Sequence, residues 1–244
     1  MKNQSFFFTA LIAAISLLTS CETNTPEQEQ EPEPAFEVIT KNLTMYVGDI
    51  KKLQVTSELD YTVTSEDEFI ATITERKNVR SEHVGKTNII ITNGRRTEIC
   101  EVEVLAKYTP FTEPFIPNYK GNNNISFTEM WSENVERLHL EIVENTDEHT
   151  FFAGKEANVY FLYYYDVSFN VIEMQMRFYD VDKYDQAINQ YLTERFKYLG
   201  YEDGVAKYCN ALTPLSSSLV ITEGIYTDGT NTFIALVFTP KKKG

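Results

Sequence analysis

The run Asn158-Val159-Tyr160-Phe161-Leu162-Tyr163-Tyr164-Tyr165 decides the fold of the C-terminal half, because β-branched and aromatic residues this dense favour a strand. Successive side chains of a strand point to opposite faces, so Tyr163 and Tyr165 share one side and Tyr164 takes the other. Tyr160, Tyr163, Tyr164 and Tyr165 are therefore the candidate ligand-binding residues. One set packs into a core and the other is available to stack on sugars or peptides; plain sheet packing of both sets is the alternative.

The neighbouring segments alternate between helix and strand signals. Upstream, Ser126-Phe127-Thr128-Glu129 forms a capping box that opens a helix with Phe127, Met130, Trp131, Val135, Leu138 and Ile142 on one face. Alternation over residues 138–142 offers a competing strand. Downstream, residues 168–179 alternate as a strand, with Phe169, Val171, Met174, Met176 and Phe178 as its apolar positions. Residues 181–199 carry Tyr184, Ala187, Ile188, Tyr191, Leu192 and Phe196 at helical spacing, with Gly200 as the expected stop. Residues 219–226 and 232–239 read as two strands paired across the Asp228-Gly229 turn. Helix, strands, helix, strands predicts an α+β domain over 125–244, with helices on one face of an antiparallel sheet and a duplicated α-β-β unit. The duplication is one of elements, without a residue-level repeat.

Residues 107–124 hold Pro110, Pro114, Pro117 and Gly121 and read as a linker that packs partly through Phe111 and Phe115. Before it, residues 36–106 show short alternating runs between turn signals, the pattern of an all-β antiparallel sandwich. Val47-Gly48-Asp49 joins a first strand pair, a polar corner at Ser65-Glu66-Asp67-Glu68 leads into Phe69-Ile70-Ala71-Thr72-Ile73, and Val79 and Gly85 precede Thr87-Asn88-Ile89-Ile90-Ile91. Asn93-Gly94 is a strong hairpin turn.

In that order these elements resemble a bacterial immunoglobulin-like domain of group 2. The Trp that usually opens the corner is Val63, with Phe69 or Tyr61 available to fill the space, and the Gly before the fifth strand is Asn78, which tolerates the same left-handed backbone. The resemblance implies a spacer or adhesion module on a cell surface, without catalysis. His83 sits in the turn before Gly85 with no partner at ligand spacing and is expected to be solvated.

At the N-terminus Lys2 precedes an apolar run over residues 6–18, which is shorter than the roughly 20 residues of a membrane span. It ends in Leu18-Thr19-Ser20-Cys21, which resembles a bacterial lipoprotein lipobox. The resemblance implies that residues 1–20 are a signal peptide and that Cys21 is the lipid attachment site. A plain secretory signal is the alternative. Because several acyl chains anchor stably, the expected partner is the membrane, through this lipid. Glu22 in place of the Asp that retains enteric lipoproteins in the inner membrane favours the outer membrane or the cell surface. Residues 21–35 alternate Glu, Gln and Pro, an acidic tether too polar to fold, extended to about 3.1 Å per residue.

The net charge of -14 excludes nucleic acid as a natural partner, since phosphate binding needs clustered Lys and Arg. Cys100 and Cys209 fall in different segments and read as two separate buried thiols or, in an oxidising compartment, as a bridge. The chain has no phosphate-cradling Gly-rich loop, nucleophile elbow or zinc-protease pattern. Asp147-Glu148-His149 is an acidic turn; Asp180 and Asp182 suit helix capping. No catalytic residue, metal ligand or cofactor is assigned. Three readings follow: an envelope lipoprotein displaying a domain that binds a glycan or a protein; an enzyme on extracellular polymer using acidic residues; or a purely structural envelope component. An aromatic row on the free face of the sheet would favour the first, and a cleft of paired carboxylates the second.

Overall fold

The computed structural model describes residues 33–118 and 125–241. The signal segment, Cys21 and all but the end of the acidic tether lie outside the described residues. Nine strands come first: β1 (Phe36–Val38), β2 (Asn42–Tyr46), β3 (Ile50–Lys52), β4 (Val55–Ser57), β5 (Thr62–Ser65), β6 (Ala71–Ile73), β7 (Asn78–Ser81), β8 (Gly85–Thr92) and β9 (Thr97–Leu105). They form three sheets, ordered β1-β4, β2-β9-β8-β5 and β3-β7-β6. Alternation along β8 and β9 aims Ile89, Ile91, Cys100, Val102 and Val104 into one core shared with Val38, Met45, Ala71 and Val79.

The turn at Gly48 has φ +82°, a conformation that favours glycine, and Ser81 locks it by donating from Oγ to the Tyr46 carbonyl at 2.6 Å. Two features differ from the sequence expectation. β2 pairs with β9 in parallel, so the arrangement is not wholly antiparallel. His83 is half-buried and engaged: its ring stacks on Phe69 at 4.1 Å between centroids and its Nδ1 lies 2.7 Å from the Phe69 carbonyl oxygen. Tyr61 packs against the core near Val63.

The second core belongs to one eight-stranded antiparallel sheet. After the short helix α1 (Phe127–Trp131) come β10 (Glu141–Asn145), β11 (His149–Ala153), β12 (Val159–Tyr165) and β13 (Val171–Phe178). After α2 (Val181–Arg195) come β14 (Lys197–Glu202), β15 (Val205–Cys209), β16 (Leu219–Asp228) and β17 (Asn231–Pro240). Each set of four is a meander of sequential neighbours, and the two meanders meet where β13 pairs with β17, giving the order β10-β11-β12-β13-β17-β16-β15-β14. The duplicated unit is thus a helix followed by four strands.

The capping box forms as the sequence requires: Ser126 accepts from the Glu129 amide, and the Glu129 carboxylate accepts from Ser126. The helix is shorter than the apolar stripe implied, continuing as a π-helical stretch (Ser132–Arg137) that brings Asn134 inside, where its Oδ1 accepts from the Phe115 amide at 2.9 Å. Ile142 falls in β10, so the competing strand reading holds from Glu141 onward. Helix α2 ends at Arg195, not at Gly200. Phe196 turns extended (φ -138°, ψ 150°) to place its ring among Tyr191 and Phe238, and Gly200 lies in β14.

From Pro34 onward the chain is one compact body with two hydrophobic cores. Phe111, on the segment between them, is buried between Phe178 and Tyr191, with centroids 5.0 and 4.9 Å away. The end of α2 ties the cores together. The Glu194 carbonyl accepts from the Val84 amide at 2.9 Å, its carboxylate accepts from the Tyr108 amide at 3.0 Å, and buried Arg195 pairs with Glu113. Cys100 and Cys209 are separate free thiols, both buried.

Candidate functional site: the uncovered face of the sheet

The two helices and the segment carrying Phe111 pack on one face of the eight-stranded sheet. That face presents Phe161, Tyr163 and Tyr165 of β12, Met174, Met176 and Phe178 of β13, and Ile234, Leu236 and Phe238 of β17 to Met130, Ile188, Tyr191 and Leu192. Tyr163 is therefore wholly buried in the core, and Tyr165 nearly so, its ring also lining the cleft at the hairpin end of the sheet. Tyr163 donates to the Phe115 carbonyl at 2.7 Å, and burial pushes its hydroxyl pKa well up. Tyr165 donates to Thr150 Oγ1 at 2.6 Å and is pushed up to about 12, chiefly by burial. The Cys209 thiol donates to the Ala211 carbonyl, and the Asp180 side chain caps α2 by accepting from the Lys183 amide.

Tyr160 and Tyr164 lie on the opposite face, half-buried. Around Tyr160 runs a row of rings from four strands and the residue after β13. Phe151 stacks on Tyr160 at 5.2 Å, Tyr160 meets Tyr179 edge-on at 5.6 Å, Tyr179 meets Phe233 at 4.9 Å and Phe233 stacks with Tyr226 at 6.1 Å. The floor beside the row is small: Arg177 pairs across to Ala235, and Ala235 to Gly224. A Cβ on Gly224 would stand 2.9 Å from Val205 Cγ1 and 3.1 Å from the Tyr226 ring, so the missing side chain lets both lie over the buried strand there.

A polar ladder climbs β13 beside the rings. Gln175 Nε2 donates to Glu173 at 2.7 Å, and Gln175 Oε1 accepts from Nε and Nη2 of Arg177 at 2.9 and 2.7 Å. The Arg177 guanidinium stands 5.1 Å from the Phe233 ring centroid. Toward the other end of the sheet, a cleft of about 1000 Å³ is lined by Asp147, Glu148, Tyr164, Asp166, Glu173 and Gln175. Exposed Val167, Phe169 and Ile172 form its lip. Two of its carboxylates hold structure. Asp166 accepts from the Ser168 and Asn170 amides of the hairpin turn, and Glu173 ends the ladder.

Sequence reasoning found Tyr160 and Tyr164 but missed Phe151, Tyr179, Tyr226, Phe233 and the ladder. The ladder was visible in principle, since Glu173, Gln175 and Arg177 interleave with Met174, Met176 and Phe178. The rings gathered from different strands leave no local signal. The acidic turn does not gather as a metal site: His149 opens β11 with Nε2 3.5 Å from Glu144, and among the described residues no three His, Cys, Asp or Glu side chains are grouped to hold an ion.

No family model matches the chain, and no curated protein does. Among solved structures, domains 5–6 of the S-layer protein SbsC align over 86% of this chain and 86% of that one, at 14% identity and TM-score 0.26. A structure of SbsC domains 4–9 aligns over 86% of this chain and 28% of that one, at 14% identity and TM-score 0.28. Overlap this low does not establish a shared fold.

Proposed function

We propose that this chain is a lipid-anchored protein of the outer membrane or cell surface that binds a glycan on the uncovered face of its C-terminal sheet. The lipobox-like Leu18-Thr19-Ser20-Cys21 supports the anchor at Cys21, and the acidic tether after it supports reach away from the lipid. The first nine strands serve as an immunoglobulin-like spacer. The glycine turn at Gly48 and the core that accepts Ile89 and Ile91 support that reading.

The single observation that carries the binding role is the row of five rings beside an ordered Glu-Gln-Arg ladder. Aromatic faces stack on the apolar faces of sugar rings, while planar amide, carboxylate and guanidinium groups meet hydroxyls. Tyr226 is exposed, Phe151, Tyr160 and Tyr179 are half-buried and Phe233 is buried; rings held in place by neighbours cost little to present, because they are already ordered. Of the four cleft carboxylates, Asp166 and Glu173 are engaged by turn and ladder, while Asp147 and Glu148 line the same cleft and keep hydrolysis as the alternative reading. Protease shaving of intact cells tests the location, with loss of the protein expected. A glycan array probed with the full chain tests the binding: signal abolished by Tyr160→Ala supports the reading, whereas capture of protein partners alone overturns the glycan in favour of a peptide ligand.

A further inference from the structure

The geometry points to a glycan ligand that carries a carboxylate-bearing sugar among neutral ones, with Arg177 as the residue that takes the carboxylate. This rests on the uncovered face being the glycan site and names what that site selects.

Arg177 is unusual in a chain with 36 Asp and Glu against 22 Lys and Arg. Its side chain stays charged at any physiological pH. Among the described residues no carboxylate lies within ion-pair distance of it; one edge of its guanidinium is instead bound to the neutral amide oxygen of Gln175 through Nε and Nη2. Gln175 is in turn oriented by Glu173, so the fork is fixed before any ligand arrives. The edge formed by Nη1 and the second Nη2 proton is left to a ligand, and two parallel N–H groups match a carboxylate in bidentate fashion. Tyr160 is its cross-strand neighbour on β12, Ala235 its neighbour on β17, and Phe233 lies beneath the charge. A sugar stacked on the half-buried Tyr160 ring would therefore set its carboxylate against Arg177, its cross-strand neighbour.

The same charge balance restricts the ligand further. The net charge of -14 repels a dense polyanion, but at physiological salt that field decays over about 8 Å. A single acidic sugar flanked by neutral ones escapes most of the repulsion and keeps the local contact.

The test is binding of the full chain to an array of neutral, uronic-acid-bearing, sulfated and carboxyl-reduced oligosaccharides, with solution titration of the hits. The expected result is binding to uronic-acid-bearing members. That binding should weaken about ten- to hundredfold on carboxyl reduction or in Arg177→Gln, and less in Arg177→Lys, which keeps charge but loses the fork. Thermal unfolding of each variant, expected unchanged within a few degrees, separates lost contact from lost fold. Hits confined to neutral or sulfated glycans, or unaffected by Arg177→Gln, overturn this inference while the glycan site stands. Absence of any glycan hit overturns both.

Discussion

The two faces of the eight-stranded sheet are made from the same strands, and alternate residues of β12 have opposite fates. Tyr163 and Tyr165 are fully or nearly buried, with their hydroxyls satisfied by Phe115 and Thr150. Tyr160 and Tyr164 stand on the other side, in contact mostly with other rings. Composition does not distinguish these tyrosines; the placement of α1, α2 and the Phe111 segment does. A strand apolar on both faces marks only that both are packed or stacked, and the covering elements then assign one to stability and leave the other for recognition.

That assignment makes separable predictions. Tyr163→Ala should destabilise the protein by about 3–5 kcal/mol, by emptying a core site and orphaning the Phe115 carbonyl; urea unfolding measures it, and a loss under 1 kcal/mol would erase the distinction between faces. Alkaline pH should act on the covered face first. Tyr165 carries a folded pKa of about 12 against 10 unfolded, so the stability this group contributes is complete below pH 10 and is lost as pH rises through 12. Tyr165→Phe should flatten that part of the stability profile. Ser126→Ala, which removes the cap of the first covering helix, should cost about 1 kcal/mol. Tyr179→Ala on the open face should change stability by less than about 1 kcal/mol while weakening glycan binding, the reverse of the Tyr163 result. Titration and unfolding of the same variant check both halves.

Legibility in the sequence followed the same division. The capping box at Ser126, the strand at β12, the core stripe of α2 and the hairpin of β16 and β17 were all readable, because each is a local pattern with a local cause. β14 was lost to an overlong helix. As an edge strand it exposes nearly every residue, so it shows no alternation, and the helical stripe ran on through Phe196 because that ring enters the core from extended backbone. β11 was too short to stand out beside the acidic turn. The candidate site was half-legible: Tyr160 and Tyr164 came from one strand, but their companions Phe151, Tyr179, Phe233 and Tyr226 come from positions up to 73 residues from Tyr160 and meet only through sheet register.

The junction of β13 with β17 has a consequence for the edges of the sheet. Each helix-and-meander half ends on a strand whose outer edge would lie bare if the half stood alone, and the antiparallel match of the two edges is the kind a molecule makes with its own copy about a two-fold axis. Joining the two halves in one chain closes those edges within the molecule, and the face they share draws its rings from both sides of the seam: Phe151, Tyr160 and Tyr179 from the first, Tyr226 and Phe233 from the second.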